Sequence, residues 1–384
     1  MRTRPNVALI IETAAVYGRQ ALRGIAHYQR THGGWSVFLD ERELRAPPPE
    51  WLLDSDCDGV ICRSTTPELA KKLIASRIPV VDLNDRYGYL GIPRIGSDMI
   101  AIGHMATEHL LERGFRNIAF CGFSGEVWSD ERLFGVTEAV GGPNGLCGVY
   151  HSPSEGIRQN NWQSSRAKLC DWLQSLPRPV GIVTSNDVRG YHVLDACRVL
   201  NIAVPEEVAV VGVDNAETFC ELCVPPLSSV LPNAERIGYE AAQLLDHLML
   251  GGTPQHQERI LAPKEVITRQ SSDVLAVEDP AIAQALNFIR EHSYQGISIN
   301  DVLAHIPMSR STLERGFRNF LGHSPQEEIR RVRLKRIKQL LLETDWPLAQ
   351  IAAATGCDPD YMMVQFKRAF GQTPSQWRQN NNVL

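Results

Sequence analysis

Residues 298–325 lie over residues 347–374 at a shift of 49 with no gap. Phe317-Arg318-Asn319-Phe320-Leu321-Gly322-His323-Ser324-Pro325 aligns with Phe366-Lys367-Arg368-Ala369-Phe370-Gly371-Gln372-Thr373-Pro374. Upstream, Ile299 meets Leu348, Val302 meets Ile351, Pro307 meets Gly356 and Leu313 meets Met362. Each copy reads as a short helix, a tight turn and a second helix closed by Gly and then Ser/Thr-Pro. The chain therefore carries a helix-turn-helix twice.

Helical spacing sorts the faces of each second helix. In the first copy Leu313, Phe317, Phe320 and Leu321 form the apolar stripe, which leaves Arg310, Ser311, Glu314, Arg315 and Arg318 facing outward. In the second, Met362, Phe366, Ala369 and Phe370 turn inward and Asp360, Tyr361, Val364, Gln365 and Arg368 lie near the surface. The helix between them, over 325–343, carries apolar Ile329, Val332, Ile337, Leu340 and Leu341 on one face. Arg330, Arg331, Arg333, Lys335, Arg336 and Lys338 lie on the other. Charge follows the same division. From residue 281 onward 13 Lys/Arg stand against 9 Asp/Glu, and the remainder of the chain holds 26 against 35. A basic tail on an acidic body points to a polyanion partner for the tail alone. Arg on the outer face of a helix can read guanine edges and anchor to phosphates in a major groove. Two solvated helices in an ordinary bundle would account for the charges, but not for the duplication at one end of the chain.

Residues 5–270 alternate short apolar runs with amphipathic stretches, the pattern of a parallel α/β sheet. Strands are predicted at 7–11, 59–62, 80–83, 118–121, 181–184 and 208–213, the last closing the series. Helices are predicted near 19–30, 67–76, 101–113, 189–200 and 234–250. The strands end in Glu12-Thr13, Asn84-Asp85-Arg86, Gly122-Phe123, Ser185-Asn186-Asp187 and Asp214-Asn215. Ligands of open α/β sheets bind outside the carboxyl ends of the strands, so these polar residues are the candidate binding groups. The plainer role for any one of them is to cap the following helix. Polar residues 268–279 end the pattern. The domain boundary falls there: an α/β ligand-binding domain over 1–272, a linker over 273–280 and a DNA-binding domain over 281–384.

Other classes fall away. The apolar run at 7–11 is too short for a secretory core, and no stretch reaches the ~20 apolar residues of a membrane span, so a cytoplasmic chain with no membrane partner is expected. Nine scattered cysteines suit a reducing compartment, and Cys220-x-x-Cys223 has no second pair or His at zinc spacing. Neither a metal nor a cofactor is expected. A transport-type binding protein on this frame would need an export signal and no basic tail. An enzyme on the same frame would need a phosphate loop or an activated nucleophile, and neither G-x-x-x-x-G-K-[ST] nor G-x-S-x-G is present. Asp187 and Asp214 are the pair that could imitate a general acid and base.

The last ~100 residues resemble the DNA-binding domain of the arabinose-regulator (AraC) family, with Phe366-Lys367-Arg368-x-Phe370-Gly371-x-Thr373-Pro374 as the most specific signature. One departure is a second unit one residue shorter than usual between Gly356 and Phe366. Residues 5–270 resemble the sugar-sensing domain of the lactose-repressor (LacI) family and the ribose-binding proteins. The likeness is carried by Ala106-Thr107-Glu108-His109-Leu110, Arg116-Asn117-Ile118-Ala119-Phe120-Cys121-Gly122, Ser185-Asn186-Asp187, Val211-Gly212-Val213-Asp214 and Pro226-Leu227-Ser228-Ser229-Val230. The combination resembles the xylose-operon regulators, with which Tyr17-x-Arg19-Gln20 and Ser309-Arg310-Ser311-x-Leu313-Glu314 agree.

The resemblance implies two lobes of doubly wound parallel sheet, like the periplasmic binding proteins, followed by an all-α domain with two helix-turn-helix units. It implies Asp85, Arg86, Arg132, Asn186 and Asp214 as contacts to a monosaccharide, D-xylose or a related sugar. Carboxylates, amides and guanidinium groups suit vicinal hydroxyls independently. Asp187, beside Asn186, joins the candidates, and Trp128 offers a face for a sugar ring or simply fills the core. Pro232 departs from relatives that place an amide there. The implied partners are double-stranded operator DNA, a second copy of the chain and RNA polymerase. The implied function is activation of sugar-catabolic genes, with no catalysis.

Overall fold

The computed structural model describes residues 4–39, 49, 52, 56–153, 162–273 and 279–381. The chain divides into two units, residues 1–111 with 116–274 and residues 112–115 with 275–384. Most of the expected linker, 274–278, lies outside the described residues.

The first unit is built on two six-stranded sheets. One contains β1 (Asn6–Ile10), β2 (Ser36–Leu39), β3 (Gly59–Cys62), β4 (Val80–Asp82), β5 (Arg94–Ser97) and β11 (Glu258–Leu261). The other contains β6 (Asn117–Ser124), β7 (Leu146–Pro153), β8 (Val180–Thr184), β9 (Val208–Val213), β10 (Ser228–Leu231) and β12 (Glu265–Ile267). Their orders, β11-β5-β4-β3-β1-β2 and β12-β10-β9-β8-β6-β7, repeat one doubly wound pattern, and among the described residues only the β10–β12 pairing is antiparallel. Parallel strands with both faces covered need continuous apolar runs. In β1, Val7 and Leu9 face the core under α1 (Val16–His32) and α8 (Ala234–Met249), whereas Ala8 and Ile10 face the one under α2 (Pro67–Ser76). The chain passes between lobes after β5, after β10 and between β11 and β12.

In the second lobe α3 (Met99–Leu111) and α4 (Val127–Ala139) touch backbone to backbone. A Cβ on Gly103 would stand 2.2 Å from the Arg132 carbonyl oxygen, and one on Gly135 would stand 2.1 Å from that of Ile100. The remaining helices of this unit are α5 (Trp162–Ser175), α6 (Asp187–Val199) and α7 (Glu217–Leu222).

The second unit is helical: α9 (Pro280–His292), α10 (Ile299–His305), α11 (Arg310–Leu321), α12 (Pro325–Glu343), α13 (Leu348–Ala354), α14 (Pro359–Phe370) and α15 (Pro374–Asn381). The 49-residue shift holds at every repeated boundary, from α10 to α13, from α11 to α14 and at the start of α15. The shorter second unit therefore keeps the same turn as the first. Ile299, Val302, Leu313, Phe317 and Ile329 share one core with α9. Leu334, Ile337, Leu340 and Leu341 share another with Ile351, Met362 and Phe366. α12 thus gives its first half to one reading unit and its second half to the other.

Four expectations are corrected. Val208–Val213 does not close the strand series, since three short strands follow it. Gly122 and Phe123 lie within β6 rather than past its end. Ala369 is exposed rather than packed inward. Arg333 is anchored, its Nε and Nη2 donating to the Ser293 carbonyl at 3.3 and 3.2 Å, so it does not belong to the free basic face of α12.

The contact between α3 and α4 can be tested. Gly103→Ala should lower the melting temperature by an overpacking cost of ~1–3 kcal/mol. An unchanged melting curve followed by circular dichroism would show that the two helices are not seated so closely.

Candidate functional site

The carboxyl ends of β1, β3 and β4 bring together Glu12, Arg63 and Asp85. Arg63 forms ion pairs with both carboxylates, and its guanidinium lies 4.5 Å over the Tyr17 ring. Tyr17 shares a hydrogen bond with Ser97 Oγ at 2.9 Å, and burial pushes its phenol pKa upward. Register sets this meeting. Ile10 pairs with Cys62 and Cys62 with Asp82, so the residues just beyond each strand arrive level with one another.

The other lobe answers from β6, β8 and β9. Arg132, on α4, donates to the Ser185 carbonyl and lies 3.7 Å from Asp214 Oδ1 through Nη2. Its guanidinium sits 5.0 Å over the Trp128 ring, and Trp128 Nε1 donates to Glu126 Oε2 at 3.0 Å. Arg86, after β4, reaches the same Glu126 oxygen at 3.4 Å and joins the two lobes. Burial raises the Asp214 pKa, the charges of Arg132 and Arg63 oppose that shift, and Asp85 adds to it. Asp214 thus senses charges from both lobes. Its φ is +103°, followed by +46° at Asn215, a left-handed excursion that non-glycine residues rarely adopt. Such strain costs on the order of 1–3 kcal/mol and gathers at ligand sites.

The site sets three guanidinium groups against four carboxylates and is short of hydrogen-bond partners. Arg63 Nε, Arg86 Nη2, Arg132 Nε and Ser185 Oγ are buried without a partner. Buried polar groups are ordinarily satisfied, so this gathering marks a place for an oxygen-rich ligand.

Asp85, Arg86, Trp128, Arg132 and Asp214 therefore come together, while the hydrogen bonds of Asn186 and Asp187 run to the backbone and hydroxyl groups beside them. Asn186 caps α6, its Oδ1 accepting from Arg189 N at 3.0 Å. Asp187 is buried with Oδ1 accepting from Ser229 Oγ at 2.6 Å and Oδ2 from Ala216 N at 2.7 Å, so it pins three strand ends. Sequence reading missed Arg63 and Glu126, and it held Ser185 only as one of the polar residues at the strand ends. Arg63 follows β3 directly, and the strand-end rule would have found it. Pro232 offers no amide, but at its neighbour Asn233 the Oδ1 is buried and unpaired.

On the tail, Ser309 caps α11 through Thr312 N, and Asp358 caps α14 through Asp360 N and Tyr361 N. Arg310, Ser311, Arg315 and Arg318 are exposed on α11, and half-buried Glu314 accepts from Arg310 Nε at 3.3 Å. On α14, Asp360, Tyr361 and Val364 are exposed, Val364 at 63%. The register places Val364 where the first unit has Arg315.

Burial, with the charge of Asp214 adding, pushes Asp187 up to about 7, against the hydrogen bonds from Ser229 and Ala216. Between pH ~4 and ~7 the folded chain holds this proton and the unfolded chain does not, so its contribution to stability falls as pH rises through that window. The melting temperature of Asp187→Asn, measured relative to the native chain, should climb from pH 4 to pH 7. A flat difference would show that Asp187 is ionised throughout.

Among the described residues no group of three or more His, Cys, Asp or Glu is placed to hold a metal ion. No helix among them is long and apolar enough to cross a membrane. Residues 6–92 match the XylR N-terminal domain, residues 107–272 the periplasmic binding protein-like domain and residues 302–380 a helix-turn-helix domain. The chain is 32% identical to the xylose operon regulatory protein of Escherichia coli K12, over 99% of its own length and 98% of that protein's. It is also 32% identical to the protein of that name from Haemophilus influenzae, over 98% of each. A solved structure of the xylose-binding transcription activator XylR superposes with a TM-score of 0.63 at 31% identity, covering 99% of both chains. A complex of the transcriptional regulator CelR with cellobiose superposes at 0.56 and 25% identity over 71% of this chain and 86% of that one.

Proposed function

The chain belongs to the xylose operon regulator family of sugar-sensing, DNA-binding transcription regulators, and we propose that its effector is D-xylose, or a closely related monosaccharide, held between the two lobes. The observation that carries this reading is the set of unpartnered donors on Arg63, Arg86, Arg132 and Ser185, flanked by Asp85 and Asp214. A pyranose presents neighbouring hydroxyls that accept from the donors and donate to the carboxylates. Trp128 and Tyr17 already carry guanidinium groups on their faces, so the sugar would lie against those groups rather than on a bare ring. Asn186 and Asp187 would support the site by shaping the β8–α6 turn.

Residues 1–272 form the sensor in this reading, 273–280 the linker and 281–384 the DNA reader. Asp279 supports that division, since its side chain caps α9 at 2.9 Å from Ala281 N. Two chains pair in the cytoplasm, and lobe closure sets whether their four helix-turn-helix units engage an operator together. Tethered engagement near a promoter then recruits RNA polymerase. The two reading helices differ in chemistry. Arg315 and Arg318 suit guanine edges and phosphate, whereas Val364 with Tyr361 suits a thymine methyl.

Xylose should raise the melting temperature in a monosaccharide panel, because a ligand that binds only the folded state stabilises it by mass action. Asp214→Asn keeps a residue that tolerates the left-handed backbone and removes the charge. It should weaken xylose binding by about tenfold to a hundredfold, the worth of a charged hydrogen bond. Full affinity in that variant would place the sugar elsewhere. Arg315→Ala should relax one base position in binding-site selection at a cost of ~1–3 kcal/mol. Uniform weakening across sequences would instead assign Arg315 to phosphate.

A further inference from the structure

Arg269 stands between the sugar site and the exit of the sensor. Its Nη2 donates to Asn215 Oδ1 at 2.9 Å, and Asn215 follows Asp214 directly. Its Nη1 donates to the Leu227 carbonyl at 3.0 Å. The backbone of the same residue is clamped by one hydroxyl: Arg269 N donates to Ser228 Oγ at 2.7 Å, and Ser228 Oγ donates to the Arg269 carbonyl at 2.8 Å. Ser228 Oγ also accepts from Ser272 Oγ at 2.7 Å. The Ser272 hydroxyl has then spent its proton, so His109 Nε2, 2.8 Å away, is the donor to it. Ser271 accepts from Ser228 N at 2.9 Å and donates to the Val210 carbonyl at 2.7 Å.

Ser228, Ser271 and Ser272 are fully buried, and every hydroxyl proton in the chain of bonds is committed. A network so saturated has few ways to rearrange; moving one member disturbs the next. Its near end is the strained turn that presents Asp214. Its far end is Ser272, after which one described residue remains before the segment leading to the DNA reader.

We propose that Arg269 is a positioning residue that transmits sugar occupancy from the Asp214–Asn215 turn to the end of the sensor domain. The inference rests on the reading that Asp214 holds the sugar. A sugar that engages Asp214 must fix the conformation of Asn215. Through Arg269 it then biases the Ser228–Ser272 clamp from which the chain leaves. A residue that merely tied β10 to the strand beside it would affect melting temperature but not the link between two ligands.

The full-length chain carries the test. DNA is selected from a random pool by the native chain in the presence of D-xylose, and affinity for it is measured at fixed salt with and without saturating xylose. Xylose affinity is measured separately by calorimetry. In the native chain xylose should change DNA affinity by about 5–150-fold, the usual range of allosteric coupling. Arg269→Gln should keep xylose affinity, and DNA affinity without sugar, within about threefold of native, while the sugar-induced change falls below about twofold. Arg269→Lys, which retains a donor toward Asn215, should recover part of it. Asn215→Gly keeps the left-handed turn and should show the same loss, with no further loss in the double variant. If Arg269→Gln fails to fold, the Asn215→Gly result decides. A folded, xylose-binding variant that keeps the native sugar effect overturns the proposal. A native chain that binds xylose with no effect on DNA overturns it as well. A native chain that does not bind xylose sinks the reading of the site from which it starts.

Discussion

Arg63 is buried between Glu12 and Asp85, and the sensor is organised around keeping that guanidinium compensated. Loss of Arg63 would leave two facing carboxylates without a countercharge, and breaking a buried pair in that way costs ~3–5 kcal/mol. Three strand ends must therefore stay level, and the parallel register of β1, β3 and β4 keeps them so. The facing lobe solves the same problem with Arg132 and Asp214, and Arg86 with Glu126 closes the circuit between the lobes. Every guanidinium there has a carboxylate partner, and the carboxylates outnumber the guanidinium groups four to three. What remains unsatisfied is directional hydrogen bonding, and a neutral polyol supplies that without upsetting the charge. An anionic ligand would add to that excess of carboxylates, which is why the cluster favours a sugar over a sugar phosphate.

The tail obeys a different constraint. Its two reading units are duplicates in backbone, down to Gly322 and Gly371 in the left-handed conformation at matching helix ends, yet their outer faces have diverged to Arg315 in one and Val364 in the other. α12 is shared by both cores, so neither unit can turn independently without unpacking it. Gly356 tightens this further. A Cβ there would stand 2.3 Å from the Gly296 backbone nitrogen, bringing the turn of the second unit onto the loop before α10. Such a tail is a fixed ruler for two successive groove faces. The separation of its two reading helices is set by packing, which leaves sugar to act on the chain that carries the tail rather than on the tail's interior.

How far the sequence discloses this depends on what each signal measures. The strand Gly59–Cys62 and the helices Pro67–Ser76 and Pro325–Glu343 are read to the residue, because each is apolar or amphipathic along its length and Pro or a short polar side chain marks where its helices begin. The repeat registers the tail because a duplicated sequence calibrates itself. β2 escapes because it is a fully exposed edge strand, and β7 because it is only half-buried. α4 escapes because Ser129 and Arg132 sit on its buried side and break the apolar period. At the site, Asp85 and Asp214 are legible as strand-end chemistry and Arg63 obeys the same rule one residue past Gly59–Cys62, whereas Arg132, on α4, is reached only through the family resemblance. The role of Asp187 is not legible. A carboxylate after a strand can face a ligand or pin a neighbouring turn, and its partner Ser229 lies 42 residues away with nothing local to announce it.

Energetics bear on how such a sensor responds. A ligand moves a conformational equilibrium only by the difference between its affinities for the two states. A cleft with unpartnered guanidinium nitrogens and a strained Asp214 gains on closure over a sugar, since hydrogen bonds to charged groups contribute ~1.5–3 kcal/mol each. Two such bonds made only in the closed state already exceed the ~1–3 kcal/mol typical of allosteric coupling. The remainder supports affinity itself. The sensor therefore need not devote its whole contact set to the switch. It needs a few contacts that exist in one state alone, and Arg86 with Glu126, spanning the lobes beside the Asp214 turn, sits where closure would create or break them.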